Sequence, residues 1–227
     1  AIILSLYLME KIIIYQVLPR LFGNRSKPCK QNGTIEDNGC GKFNDFTPDV
    51  LKKIKELGVT HIWYTGVVRH ATSTDYSKYG IPRQHPAVLK GNAGSPYAIV
   101  DYYDVDPDLS VNVDHRMQEF ESLIERTHKN GMKFIMDFVP NHVARQYHSI
   151  AKPKGVKDLG EDDDKSLHFS PNNNFYYFPN QPLVLPEERR NIKDENGNLV
   201  FEMPKVLNFN DEINELQRIS EIEDLDY

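Results

Sequence analysis

The sequence predicts an α/β protein with a parallel sheet, because short apolar runs alternate along the chain with segments of helical periodicity. Three such runs, at 12–17, 59–64 and 132–139, are predicted strands. Unbroken apolar runs of this length are typical of strands that are buried on both faces of a sheet. Strands that are joined through a helix run parallel, with right-handed crossovers. We therefore expect the order strand, helix, strand, helix, strand.

The two predicted helices have recognisable ends. Thr47 and Pro48 supply a capping hydroxyl and a proline at the first helical position of the first helix, and Gly58 ends it. The second helix is predicted from about 114 to 130 and ends at Gly131. Both helices have apolar side chains at helical spacing, which predicts one face packed against the sheet. These side chains are Val50, Leu51, Ile54, Leu57, Met117, Phe120, Leu123 and Ile124.

Two long irregular segments follow predicted strands. Residues 65–109 are rich in Gly, Pro, Tyr and His, and residues 140–204 are again without a clear period. Connections of this length inside a compact domain are usually functional. A doubly wound nucleotide-binding sheet would need a glycine-rich turn after the first strand, and the chain contains neither a G-x-G-x-x-G run nor a P-loop. The alternative parallel fold, a (β/α)8 barrel, has its functional loops at the carboxyl ends of the strands. We therefore predict an incomplete (β/α)8 TIM barrel of about three βα units, with an irregular small domain inserted after the third strand.

Composition and charge narrow the classes of partner. The chain has 227 residues, of which 39% are hydrophobic and 26% charged, and its net charge is −6. These values are typical of a globular protein with a sizeable core. A nucleic-acid partner would need a basic face, and the densest basic cluster, at 52–55, alternates with apolar residues as on a solvated helix. We expect no nucleic-acid partner.

The first eight residues are apolar, but they lack a basic leader and a cleavage site and are too short to span a bilayer. They are either the remnant of a clipped signal sequence or upstream translated sequence before Met9, and the second interpretation is favoured. We expect no membrane partner, and the absence of a complete signal peptide favours a cytoplasmic location.

The two cysteines, Cys29 and Cys40, lie in a segment rich in Gly and Asn. Their spacing matches no metal-binding motif. A local disulfide and two free thiols both fit the sequence, and free thiols are favoured.

Three short segments carry a resemblance to a known family. The end of the third predicted strand reads D-x-x-P-N-H, from Asp137 to His142. Upstream, residues 95–103 read S-P-Y-A-I-V-D-Y-Y, and residues 14–17 read I-Y-Q-V. In this order, the segments resemble the signatures of glycoside hydrolase family 13, the α-amylase family, over roughly residues 12–180. The resemblance implies a retaining hydrolase of α-glucosidic bonds in starch or maltodextrin, with an α-glucan or malto-oligosaccharide as its ligand.

The resemblance also implies roles for single residues. Tyr97 matches the tyrosine that stacks on the sugar ring in the subsite before the cut, and His142 matches the histidine that hydrogen-bonds a hydroxyl of that ring. Asn141 matches an asparagine that binds calcium, for which an amide oxygen is a suitable ligand. Asp101 and Asp137 match aspartates that support the geometry of the site. Each residue taken singly also fits a structural role, since tyrosines often anchor loops and Asp or Asn often caps turns.

Two further clusters lie in the predicted inserted domain. The aromatic run at 175–178 could form a platform for a sugar, but packing of the small domain is the favoured interpretation. The acidic triplet at 162–164 could donate to calcium, but a solvated turn is favoured.

The chain lacks the family's catalytic signatures. The family nucleophile is an aspartate in a G-x-R-x-D run and a third carboxylate lies in a His-Asp pair, and neither run occurs in the 227 residues. We therefore expect a fragment that carries part of the sugar and calcium sites, has no catalytic residue, requires the remainder of the barrel and is inactive alone. The alternative is a non-catalytic carbohydrate-binding or interaction module. The predicted units are 9–142 (barrel part), 143–204 (small domain) and 205–227 (divergent acidic tail, with an amphipathic helix).

Overall fold

The computed structural model describes residues 11–26, 29–85 and 89–179, together with residue 196 and four short strands between 183 and 207. The apolar run at 1–8 and the predicted tail helix at 211–227 lie outside the described residues. The boundaries of the three predicted units stay predictions.

The described part of the chain forms short strands, α-helices and 3₁₀ helices. In chain order, the strands are β1 (Ile14–Val17), β2 (His61–Tyr64), β3 (Val68–His70), β4 (Ile99–Val105), β5 (Lys133–Met136), β6 (Leu183–Val184), β7 (Asn191–Lys193), β8 (Leu199–Glu202) and β9 (Val206–Leu207). The α-helices are α1 (Pro19–Phe22), α2 (Ile35–Asn38), α3 (Pro48–Glu56) and α4 (Arg116–Lys129). Short 3₁₀ helices span Phe43–Asp45, Ser77–Tyr79, Pro107–Leu109 and Val113–His115.

The central sheet confirms the predicted parallel α/β arrangement. It has the order β1-β2-β5, and both neighbouring pairs are parallel. The chain passes through α3 between β1 and β2 and through α4 between β2 and β5. Thr47 caps α3 by accepting a hydrogen bond from the backbone N–H of Val50, as the sequence predicts. Gly58 and Gly131 have positive φ just after α3 and α4, the backbone conformation that glycine adopts most easily at helix ends.

The segment 65–109 differs from the prediction because it contains a second sheet. β3 and β4 pair in an antiparallel manner, with register shifts along β3. β4 has no apolar periodicity that would indicate a strand, because it buries Asp101 and Asp104 in its interior. Both carboxylates form ion pairs with Arg69 of β3, at 2.9 and 3.1 Å. Arg116, at the start of α4, forms a second ion pair with Asp104 at 2.7 Å. Charge pairing thus replaces the apolar pattern in β4.

The segment 140–204 is irregular up to residue 179, as predicted, but not beyond it. Two antiparallel strand pairs, β6 with β9 and β7 with β8, occupy part of 183–207. These strands have only two to four residues each, which is too short for a sequence period to show.

The core lies on one face of the central sheet. Ile62 and Tyr64 of β2 are fully buried, with Leu51 of α3 and Leu123 of α4 in the same cluster. The Tyr64 hydroxyl and the Thr127 hydroxyl of α4 are 2.8 Å apart, so the buried phenol keeps a hydrogen-bond partner. Burial raises the pKa of Tyr64 to about 12.

Within the part of the chain that the structure describes, the opposite face of the central sheet is uncovered, so the predicted burial of the strands on both faces is not seen there. Ile14, Trp63 and Ile135 share this face because side chains alternate along each strand and the three strands are in register. Ile14 is 51% exposed, whereas Trp63 and Ile135 are half-buried. Among the described residues, no helix is long and apolar enough to cross a membrane.

Candidate functional site

The candidate site begins where β2 and β5 end. Asp137, just after β5, accepts a hydrogen bond from Trp63 Nε1 with one carboxylate oxygen, and its other oxygen accepts one from the Gly66 N–H at 3.2 Å. Gly66 has a φ of +73°, and a side chain there would meet Pro96 at 2.9 Å. The glycine therefore allows the backbone N–H of this tight turn to approach the carboxylate. Asp137 thus joins the ends of β2 and β5, and the support role predicted for it stays a prediction.

Tyr97 lies in a groove on the open face of the sheet. The groove has a volume of about 400 Å³ and is lined by Ile14, Trp63, Tyr97, Ile135, Met136, Asp137, Phe138 and Val139. Tyr97 is 44% exposed, which leaves part of the phenol ring available to a ligand. Trp63 supplies a second aromatic ring to the same groove and has no counterpart among the site residues predicted from the sequence. Its alternation with Ile62 and Tyr64 in β2 was the one sequence signal that could have placed it on this face.

Asp101 holds residues 149–151 against β4. Its Oδ2 accepts from Arg69 Nη2 at 2.9 Å and from the backbone N–H groups of 150–151 at 2.9 and 3.2 Å. Its Oδ1 accepts from the Ser149 hydroxyl at 2.6 Å and from the Tyr103 N–H at 2.9 Å. Burial would raise the pKa of Asp101, but these hydrogen bonds and the Arg69 charge outweigh it and hold the pKa below its usual range. A buried carboxylate that accepts hydrogen bonds from five donors fits the predicted role of Asp101 in supporting the geometry of the site. The role itself stays a prediction.

His142 and Asn141 follow Asp137 in the loop after β5. The Tyr102 hydroxyl donates hydrogen bonds to the backbone carbonyls of Val139 and His142, the latter at 3.2 Å, and so fixes the path of this loop. His142 is half-buried and Asn141 is exposed. Neither is among the residues that line the groove. The structure thus brings Tyr97 and Asp137 into one groove and places His142 and Asn141 beside it in sequence but outside its lining.

A second buried charge cluster lies under the β4–α4 connection, and the sequence analysis did not find it. Asp106 and Asp108 both form ion pairs with Arg20, and His70 lies 3.6 Å from Asp106. The Tyr76 hydroxyl donates to Asp108 at 2.8 Å. Burial raises the pKa of Asp106. Burial also opposes ionisation of Asp108, but Arg20 outweighs it and lowers the pKa of that carboxyl. The alternating aspartates at 104, 106 and 108 were the signal in the sequence.

The described residues do not form a metal site of their own. No three His, Cys, Asp or Glu side chains converge in the described part of the chain. Asn141 by itself offers one amide oxygen, whereas Ca²⁺ takes six to eight oxygen ligands. The calcium role predicted for Asn141 therefore stays a prediction, with no cluster of carboxylates in the described part of the chain to support it.

Comparison with known proteins places these features in context. A family model described as "Alpha amylase, catalytic domain" matches residues 16–214. Maltase 1 of Drosophila virilis is 25% identical over 215 residues, which cover 88% of this chain and 28% of the maltase. Trehalose-6-phosphate hydrolase of Bacillus subtilis is 27% identical over 138 residues, which cover 61% of this chain and 18% of that enzyme.

A solved structure of an α-amylase from Lactobacillus plantarum is 28% identical, with a TM-score of 0.41 over 61% of this chain and 24% of that chain. The chain thus spans between 18% and 28% of the length of these relatives.

Proposed function

The chain belongs to the α-amylase family, and we propose that it is part of a retaining glycoside hydrolase that acts on the α-glucosidic bonds of starch or maltodextrin. The observation that carries this proposal is the position of Tyr97, half-exposed in a groove at the carboxyl ends of parallel strands. In barrel enzymes this end of the strands carries the active site. The similarity to a maltase adds support.

The groove suits a pyranose ring. A flat aromatic ring packs well against the apolar face of a sugar, and Tyr97 and Trp63 offer two such rings in one groove. Under this proposal, Tyr97 stacks on the sugar in the subsite before the cut. His142, in the loop that Tyr102 fixes, donates a hydrogen bond to a hydroxyl of the same ring. Asp101 and Asp137 hold these loops in place and do not touch the sugar, because their carboxylate oxygens already accept hydrogen bonds from the protein.

The catalytic carboxylates lie outside this chain in the proposed enzyme. A retaining glycosidase uses two carboxyl groups about 5–5.5 Å apart, one as nucleophile and one as acid and then base. Asp137 accepts hydrogen bonds from Trp63 and Gly66, and the buried Asp101 accepts hydrogen bonds from five donors. Neither carboxylate is therefore placed to act as the nucleophile or as the acid and base. The three parallel strands are then one part of a (β/α)8 barrel, and the open face of the sheet is the part of the barrel interior that further strands would cover.

Calcium binding at Asn141 stays a proposal, and no step of the mechanism depends on it. Since the described part of the chain holds no cluster of three His, Cys, Asp or Glu side chains, carboxylate ligands beside Asn141 would come from the rest of the protein. Thermal unfolding of the chain in calcium and in a chelator tests this point. Equal midpoints are expected for the chain alone, and a higher midpoint in calcium that Asn141→Ala abolishes would show that the chain completes the site by itself.

Fluorescence of Trp63 tests the sugar site directly, because it is the only tryptophan in the chain. Titration with maltoheptaose should change the emission, and Tyr97→Ala should weaken the apparent affinity by about tenfold, or ~1.4 kcal/mol. Tyr103→Ala is the matched control, since Tyr103 is also a half-exposed tyrosine but does not line the groove. A response that Tyr97→Ala leaves unchanged, or release of reducing ends from starch by the chain alone, would contradict the proposal.

A further inference from the structure

Three aromatic side chains project from the inserted segment into solvent. Residues 168 and 177 pair across a turn, with the Tyr177 N–H donating to the His168 carbonyl at 3.1 Å. Phe169, Tyr176 and Phe178 are 61%, 70% and 55% exposed. We call these three residues the aromatic platform.

The same segment shows why these rings are exposed while their neighbours are not. Tyr177 donates its hydroxyl to Asp163 at 2.9 Å, and the Phe175 N–H donates to the same carboxylate oxygen at 2.9 Å. Phe175 also lies against Gly160, where an added side chain would meet the ring at 2.9 Å. Residues 175 and 177 thus pack the inserted segment, whereas 176 and 178, which alternate with them, turn outward. The packing role favoured for the whole run 175–178 holds for only half of it.

The aromatic platform has an ordered geometry. The rings of Phe169 and Tyr176 are nearly parallel, with an angle of 24° between their planes and centroids 5.7 Å apart. The His168 ring lies 4.7 Å from the Phe178 ring and is itself held by a 2.6 Å hydrogen bond between its Nδ1 and the Tyr177 carbonyl. Exposed apolar groups that are held in a fixed arrangement mark interaction sites more often than scattered ones do.

We propose that Phe169, Tyr176 and Phe178 form a second sugar-binding surface, apart from the Tyr97 groove, which takes the pyranose rings of an α-glucan. The identity of the sugar rests on the proposed function. The geometry supports a sugar, because the exposed, nearly parallel rings of Phe169 and Tyr176 offer flat apolar area, and the Tyr176 hydroxyl can exchange hydrogen bonds with sugar hydroxyls.

The size and charge of the aromatic platform disfavour other ligands. A stable protein interface takes roughly 20–30 residues a side, far more than three rings. Residues 157–179 carry five carboxylates and two lysines. This acidic surrounding repels nucleic acids and anionic membranes, whereas an uncharged polyhydroxyl chain is not repelled and can donate hydrogen bonds to carboxylates.

A second surface on the same chain has a functional consequence for a polymer. A long glucan that is bound at the aromatic platform is held on the chain, so a contact with the groove becomes intramolecular and raises the overall affinity when the glucan spans both surfaces. A short oligosaccharide gains nothing, because it fills one site at a time. The two surfaces can therefore be separated by ligand length.

Affinity electrophoresis of the full chain in gels with amylopectin tests the proposal. Tyr176→Ala and Phe169→Ala should each weaken retention by about tenfold, or ~1.4 kcal/mol. The Trp63 response to maltoheptaose should stay as in the parent chain, since the groove is intact. Tyr103→Ala is again the matched control and should leave retention unchanged. Tyr176 is mostly exposed, so its replacement should leave the thermal midpoint unchanged, which circular dichroism verifies.

Each outcome decides the matter. Retention that depends on Tyr97 and not on Tyr176 or Phe169 would overturn the second surface and leave the proposed function standing. Retention that depends on the aromatic platform, with no Trp63 response to maltoheptaose, would support the second surface and contradict the proposed groove. Self-association of the chain that Tyr176→Ala abolishes, without any change in retention, would identify the surface as a contact between copies and overturn the proposal.

Discussion

Arg69 and Asp101 form an ion pair that is closed to solvent, with Nη2 and Oδ2 2.9 Å apart and both side chains at most 3% exposed. The pair joins β3 to β4, and Asp101 also binds the irregular segment after β5 through Ser149 and the backbone at 150–151. One carboxylate therefore couples the second sheet to the segment that carries the aromatic platform.

Removal of this carboxylate should destabilise the chain strongly. Asp101→Ala removes a carboxylate that pairs with the buried guanidinium of Arg69. Breaking a buried ion pair costs about 3–5 kcal/mol. Urea denaturation followed by circular dichroism measures the change in the free energy of unfolding. Asp114→Asn is the control, since Asp114 is exposed and forms no ion pair among the described residues. Equal effects of the two substitutions would contradict the structural role of Asp101.

The same carboxylate should contribute to the acid sensitivity of the chain. Its pKa is lower in the folded state than in the unfolded state. A depressed carboxylate stabilises the fold above its unfolded pKa of about 3.9, and this contribution is lost as the pH falls through the folded pKa. Asp101→Asn should therefore flatten the acid limb of stability against pH below about pH 4. An unchanged slope in urea titrations between neutral pH and pH 3 would contradict this assignment.

The sequence predicts those parts of the fold that depend on local signals. The helix ends at Gly58 and Gly131 and the order of the three apolar strands follow from backbone preference and periodicity, and the structure confirms them. The strands are shorter than the apolar runs predict, and the third ends at Met136 rather than at residue 139. β4 does not follow, because its interior aspartates are stabilised only by arginines distant in sequence. Residues 99–105 therefore favour a strand only when the fold brings these arginines to them.

The candidate site divides in the same way. Tyr97 and Asp137 can be identified from their motifs, and the structure brings both to one groove. Alternation in β2 places Trp63 on the face opposite Ile62 and Tyr64, but the sequence does not indicate that this face carries a groove. The exposure of Tyr176 could not be predicted either, because an aromatic run outside a regular strand does not indicate which of its side chains point to solvent.

The hydrogen bond from Trp63 to Asp137 should contribute measurably to stability. Trp63→Phe keeps an aromatic ring but removes the donor, and hydrogen bonds to charged groups contribute about 1.5–3 kcal/mol. Asp137→Asn should cost less than Asp137→Ala, because the amide oxygen can still accept from Trp63 Nε1. Thermal and urea unfolding of the three variants measure the order. If Trp63→Phe leaves the free energy of unfolding unchanged, the hydrogen bond to Asp137 adds nothing to stability.

The two cysteines should differ sharply in reactivity. Both are free thiols, Cys29 exposed and Cys40 partly buried. Burial raises the pKa of Cys40 to about 12, so only about one molecule in 10⁴ carries its thiolate at pH 8. A disulfide reagent at pH 8 should modify Cys29 at least about a hundredfold faster than Cys40, since the thiolate is the reacting form. Peptide mass spectrometry identifies the modified residue, and Cys29→Ser should remove the fast phase. Equal rates of modification at Cys29 and Cys40 would contradict the difference in burial. A reaction that needs prior reduction would contradict the assignment of both cysteines as free thiols.

The outer edge of β5 should make the isolated chain prone to aggregation. β5 pairs only with β2 among the described residues, so one edge offers unpaired backbone groups, and Phe138 just after it is 74% exposed. An apolar side chain beside an unpaired edge favours pairing between chains.

Phe138→Lys should slow aggregation several-fold at constant concentration, because a charge at such an edge opposes that pairing. Light scattering measures the rate. Val111→Lys is the matched control, since Val111 is 67% exposed but belongs to the connection between two 3₁₀ helices and not to a strand. If the two substitutions slow aggregation equally, or if the parent chain is a stable monomer with a cooperative thermal transition, the edge is not what limits solubility.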